Sequence, residues 1–66
     1  MSEVRSDLEQ KWQELKVLIE ALETDIQKNI KGNKSAGVRV RKGLRLLKTN
    51  ASTIVKVSLA ADKDSE

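Results

Sequence analysis

Residues Lys31–Lys48 read KGNKSAGVRVRKGLRLLK, and the parsing of this stretch decides the fold. It opens on Gly32-Asn33, the only strong turn signal in the chain, and holds seven of the thirteen Lys and Arg residues with no acid. The pattern predicts a turn running into a basic helix. At about 100° per residue, Lys31, Lys34, Arg41, Lys42, Arg45, Lys48 and, further on, Lys56 fall within roughly one third of the circumference. Ala36, Val40, Leu44, Leu47, Ala51, Ile54 and Val55 fall on the opposite side. Such a helix packs its apolar face on a partner helix and shows its cations to a polyanion.

Upstream of the turn, Leu8, Trp12, Leu15, Ile19, Leu22, Ile26 and Ile30 recur at spacings of three and four, a narrow stripe like that of a coiled coil. Ser6-Asp7-Leu8-Glu9 has the form of a capping box, which places the helix start near residues 3 to 7. There is no proline, so glycine is the only punctuation. Gly32 fits the left-handed residue that ends a helix, and Asn33 or Ser35 fits the cap of the next one. A connection that short makes the two helices antiparallel neighbours.

The expected layout is all-α: helix 1 over about residues 3–30, a turn at about 31–34, helix 2 over about 35–60 and a frayed acidic tail at 61–66. Folding at Gly32 sets position i against roughly position 64 minus i, bringing Trp12 opposite Ala51. The stripe on helix 1 and Val40, Leu44, Leu47, Ala51 and Ile54 on helix 2 form the expected hairpin or dimer core. Gly43 lies at the edge of the apolar face, where close approach to helix 1 is expected. The weak point is Thr49–Ser58, where β-branched residues leave room for a strand or a break after Lys48, but helix is the preferred reading because Leu47, Ala51, Ile54 and Ser58 keep the apolar step. A two-helix antiparallel hairpin of this size is marginal alone, so it is expected to self-associate, most simply as a dimer making a four-helix bundle.

Composition narrows the function classes. With 66 residues the chain is too short for an enzyme-sized pocket with a rigid surround. It has no cysteine and no histidine, which removes the usual nucleophile, general base and metal ligands, so no cofactor, no metal and no catalysis are expected. No apolar run approaches the length of a membrane span and the first residues are polar and acidic, which points to a cytoplasmic chain with no membrane partner. The net charge of +3 hides a sharp segregation. Residues 1–30 carry −3, residues 31–59 carry +8 without a single acid, and residues 60–66 carry −2. A basic stripe on one element is the footprint of a nucleic-acid or anionic-surface binder.

KGNKSAGVRVRK resembles the turn and second helix of the chlamydial linker-histone-like family, small bacterial DNA-condensing proteins whose hairpin core bears a GNK-A-A/G-x-R-x-R signature. The matching positions are Gly32, Asn33, Lys34, Ala36, Arg39 and Arg41, with Val40 between the arginines. Leu47, Ala51, Lys56, Ser58, Ala61 and Lys63 are similar in spacing, so the resemblance covers about half the chain. It implies non-specific DNA binding, nucleoid association and compaction, and a second helix that continues past residue 58. Several members carry a Lys- and Ala-rich tail, whereas Asp62, Asp64 and Glu66 stand at the end of this sequence. On this resemblance, what the family does with its tail is expected of the helix here, or is not done at all.

The candidate nucleic-acid-binding residues are Lys31, Lys34, Arg39, Arg41, Lys42, Arg45, Lys48 and Lys56, reaching duplex DNA or another nucleic acid through phosphates and leaving base edges unread. Arg39 lies off the main arc, and an ion pair with Glu20, Glu23 or Asp25 is an equal alternative for it. Trp12, the only aromatic residue, belongs to a core or a dimer interface rather than to a base-stacking platform, which needs several aromatics. Gly32 serves as a helix cap or as part of a phosphate-cradling nest. The competing function is a coiled-coil module that docks its apolar stripe on a larger assembly. An amphipathic membrane-surface helix fits less well, because helix 2 has no aromatic on its apolar side.

Overall fold

The computed structural model describes residues 3–64, which form α1 (Glu3–Ile30), a three-residue turn and α2 (Lys34–Asp64). No strand occurs among the described residues, and the helices pack side by side in a rod of 50 × 15 × 12 Å. The turn is built by hydrogen bonds that each helix end would otherwise lack. Gly32 has φ +100°. Its N–H donates to the Asn29 carbonyl at 3.0 Å, and the Asn33 N–H donates to the Lys28 carbonyl at 3.0 Å. These two bonds are the Schellman closure of α1. Asn33 then opens the next helix, its Oδ1 accepting from the Ala36 N–H at 2.9 Å. Of the two caps considered, Asn33 is the one used, and Ser35 lies inside α2.

Thr49–Ser58 is helical throughout. Thr49 and Thr53 donate their hydroxyls to the carbonyls of Arg45 and Thr49, both at 3.2 Å, so these side chains add local bonds to the helix they were expected to weaken. The last turns of α2 correct the expected layout. The helix runs to Asp64 rather than stopping near residue 60, and Ala61 is only 6% exposed, so 61–64 are not a frayed tail. Residues 65 and 66 lie outside the described residues. At the other end α1 already begins at Glu3, which places Ser6 inside the helix and not at its cap.

Three contacts fix the register. Gly43 lies under the Leu22 side chain, Gly37 under the Asn29 amide, and Arg39 beside Asp25, which sets position i against about position 65 minus i. The close approach at Gly43 is present, and its cause is plain: a β-carbon there would overlap Leu22. Glycine's cost in a helix is offset by letting the one well-buried leucine of α1 sit directly on the α2 backbone.

The register also decides which half of each apolar arc is covered. Val4, Leu8, Lys11, Leu15, Leu18, Leu22, Asp25 and Asn29 face inward or sit half-buried on α1, and Ala36, Val40, Gly43, Leu47, Asn50, Ile54, Val57 and Ala61 do so on α2. These positions pair one to one across the seam. The register thereby divides the expected hairpin or dimer core into the part the hairpin itself covers and the part it leaves exposed. Leu22 and Val40 are buried and Leu8, Leu15, Ile26, Leu47 and Ile54 are half-buried, but Trp12, Ile19, Leu44 and Ala51 are exposed and lie outside the seam of the hairpin. Small residues on α2 draw the helices together along Ala36 and Gly43, so the contact line is rotated away from Trp12 and Ile19.

Candidate nucleic-acid interface

The outward side of α2 is the exposed surface that the seam leaves behind. Lys34, Arg41, Lys42, Arg45, Lys48 and Lys56 are all exposed there, and Lys31 is exposed in the turn just before it. At about 1.5 Å of rise per residue, the strip from Lys34 to Lys56 is about 33 Å long. None of these cations makes an ion pair among the described residues, unlike Lys11, which pairs with Glu14, and Arg39, which pairs with Asp25. The strip therefore keeps its full charge toward solvent. A helix bearing unpaired cations at this spacing can meet successive phosphates.

Arg39 is the exception among the expected binding residues. Its Nη2 lies 3.0 Å from Asp25 Oδ1, and its Nε donates to the same oxygen at 3.1 Å. This hydrogen bond, aided by the positive charges of Arg39 and Lys28 and opposed by partial desolvation, holds the Asp25 carboxyl below the usual aspartate value of 3.8. The same bond raises the Arg39 guanidinium above its ordinary value. Arg39 thus ties α2 to α1 on the flank of the rod, away from the strip, and of the two roles weighed for it the ion pair is the one formed.

The strip also includes hydroxyls that the sequence reading passed over. Arg45, Lys48 and Lys56 line an open cleft of about 470 Å³ together with Thr49, Ser52 and Thr53. Thr49 and Thr53 turn their hydroxyl hydrogens to the backbone, whereas Ser52 makes no bond among the described residues and is exposed. The signal was available as T-x-x-S-T at positions i, i+3 and i+4, the spacing that puts residues on one helix face. Trp12 stands apart from all of this, on α1, with Lys16 Nζ 6.0 Å from its ring centre. No group of three or more carboxylates suited to a metal ion occurs among the described residues.

The fold and the strip define a small helical-hairpin protein with an exposed cationic face on its second helix. The chain belongs to the histone H1-like protein Hc1 family, whose pattern matches residues 9–64. The match covers the turn and nearly all of both helices, extending into α1 a likeness that the sequence reading found only around the turn and in α2. This is a family of histone H1-like DNA-binding structural proteins and not one of enzymes. Comparison with curated proteins and with solved structures gives no match. Neither described helix is long and apolar enough to cross a membrane.

Proposed function

We propose that the protein binds duplex DNA without sequence preference through the outer face of α2, and that it coats or compacts DNA as a nucleoid-associated protein. The observation that carries this reading is the strip itself: six exposed cations on one side of α2, none of them ion-paired among the described residues. Each phosphate neutralised releases condensed counterions, so six contacts give a log-log salt slope of about −5. Ser52 adds a hydroxyl donor within the same cleft. Arg39 is left out of the binding set because Asp25 holds it.

The test is titration of random-sequence duplex DNA between about 50 and about 300 mM salt, repeated with Arg41, Arg45 and Lys48 all changed to Glu. Binding that weakens steeply with salt and disappears in the triple variant supports the reading. Absence of binding at the lowest salt, or indifference to the triple change, ends it.

The reading includes self-association. The hairpin buries only Leu22, Ala36, Val40 and Ala61 among its apolar side chains and leaves Trp12, Ile19 and Leu44 about half exposed, which favours a second copy covering them. Sedimentation at concentrations on the order of tens of micromolar tests this, since dissociation follows mass action. A cooperatively folded monomer would remove it. The same exposed side chains favour one other reading, an interaction module that docks on a larger assembly with its basic face toward an acidic partner. Salt-sensitive DNA binding by the purified protein separates the two.

A further inference from the structure

The exposed apolar side chains gather on one flank of the rod. The Arg39–Asp25 ion pair marks the other flank. Measured round each helix from the inward residues Leu22 and Val40, Asp25 lies about 60° and Arg39 about 100° to the negative side. Trp12 and Ile19 lie about 80° and 60° to the positive side of Leu22, and Leu44 and Ala51 lie about 40° and 20° to the positive side of Val40. The inward direction of α2 itself drifts to the negative side, as the buried positions Gly43 and Ala61 show, so the displacement of Leu44 and Ala51 is larger than those figures. In an antiparallel pair the same sense of rotation carries both helices to the same flank. Trp12 and Ile19 therefore share one face with Leu44 and Ala51.

The two columns bordering this face differ in bulk. At steps of seven, α1 presents Trp12 and Ile19, with the half-buried Ile26 in line, while α2 presents Leu44 and Ala51, with the half-buried Ser58 in line. A second copy can pair like helices or unlike ones. Pairing like helices sets bulky residues on bulky ones in one half of the joint and small residues on small ones in the other, which overpacks one side and leaves voids in the other. Pairing unlike helices sets Trp12 on the second copy's Ala51 and Ile19 on its Leu44, positions that the register places within two residues of one height. The largest side chain of the face then meets a small one.

Charge makes the same choice. The next columns outward are Glu9, Lys16 and Glu23 on α1 and Lys34, Arg41 and Lys48 on α2. Bringing α2 against α2 would crowd two purely cationic edges together. Bringing α1 against α2 sets Glu23 level with Arg41 and Glu20 near Arg45 and Lys48, with only Lys16 against Lys48 opposing it.

We infer that two copies join about a twofold axis parallel to the helices, α1 of each lying on α2 of the other, with both turns at one end of the bundle. The inference rests on the self-associating, DNA-coating reading above and adds where the cations go. The two α2 helices occupy diagonal corners, so their strips face opposite ways. Lys34, Lys42, Arg45 and Lys56 stay outward on each, while Arg41 and Lys48 lie at the joint's edge. One bundle then holds two duplexes, one on either side, and links them. Pairing like helices would instead set both strips side by side against a single duplex.

The experiment is a pulsed electron-spin distance measurement on the full chain carrying a nitroxide at Lys31→Cys, an exposed turn position outside the seam, without DNA. With helix axes about 8–10 Å apart and the label arms added, turns at one end give a separation of about 20–25 Å. Turns at opposite ends of helices of this length give about 45 Å, from about 1.5 Å per residue. The short distance supports the inference. The long one overturns the arrangement while leaving self-association intact, and a monomer with no dipolar signal overturns both. As a second measurement, Glu23→Lys should weaken dimerisation several-fold, and adding Arg41→Glu to it should restore dimerisation. A double variant weaker than the single one overturns the pairing across the joint.

Discussion

The turn end and the open end of the hairpin are held together by different means. Around residues 22–43 the chain is closed by backbone hydrogen bonds at Gly32 and Asn33, an asparagine cap, an ion pair between the helices and a leucine seated on a glycine. Toward residues 3–15 and 50–64 the seam contains Lys11 and Asn50, and among the described side chains Ala61 is the only buried one. The cationic strip is densest at the fastened end, where Lys34, Arg41 and Lys42 lie, continues through Arg45 and Lys48, and has only Lys56 toward the open end. The comparison shows that the exposed charge is concentrated where the scaffold beneath it is best fastened. The geometry of the strip is set by one well-fastened third of the molecule.

The change with the largest expected effect breaks the comparison at its anchor. Leu22→Ala removes the leucine that fills the space above Gly43 and should cost about 2–3 kcal/mol, read from chemical or thermal unfolding. Leu15→Ala, at a half-buried position nearer the open end, should cost about half as much. Equal losses would show that the ends are fastened alike. Next in size is Gly32→Ala. It forces φ +100° on a residue with a β-carbon and should cost about 1–2 kcal/mol, with helical content otherwise retained in the far ultraviolet.

The glycines of α2 sharpen the contrast further. Gly43→Ala gains about 1 kcal/mol of helix propensity but drives a methyl into Leu22, and overpacking of about 1–3 kcal/mol should leave a net loss. At Gly37 the added methyl meets the ends of the Asn29 and Arg41 side chains, which can swing aside, so Gly37→Ala should be neutral or slightly stabilising in the same melts. A net gain at Gly43 would mean that the helices do not approach there.

The smallest effect concerns pH. Because Arg39 holds the Asp25 carboxyl below its ordinary value, the ion pair's contribution is complete above the unfolded value near 3.8 and is lost as pH falls through the lower folded value. Both partners sit near the surface, so the contribution is small. Asp25→Asn should flatten the part of the acid dependence of the melting temperature that lies below that value, with little change at neutral pH. In DNA titrations Arg39→Ala should change affinity less than Arg45→Ala. The reverse order would put Arg39 back among the phosphate contacts.

Much of this architecture could be read from the residues alone. Gly32-Asn33 located the turn and the step of three and four located both helices, because these signals are local and each helix end must satisfy its own backbone. The cationic strip was legible for the same reason, since helical phase needs no partner. What the sequence left open was tertiary. The apolar arc of α1 is wider than one neighbouring helix can cover, and nothing in the order of Trp12, Leu15, Ile19 and Leu22 says which half is taken. Gly43 and Ala36 decide it by allowing close approach, and Trp12 is left on the flank. The assignment of Arg39 was undecided for a related reason, as only the register brings it beside Asp25. The end of α2 was set too early because Ala61 looks like a weak anchor until Val4 stands at its level in the seam.

Asn33 finishes α1 with its backbone N–H and starts α2 with its side chain. One residue serving both helices acts as a fixed angular coupling, so the azimuth of α2 follows from that of α1 without any slack between them. A single residue inserted between Gly32 and Asn33 would part these two duties, because the residue whose N–H reaches the Lys28 carbonyl would no longer be the one whose side chain caps α2, and the coupling would loosen while every helical residue stayed helical. The direction in which this protein aims its charge is thus written in the length of a three-residue link.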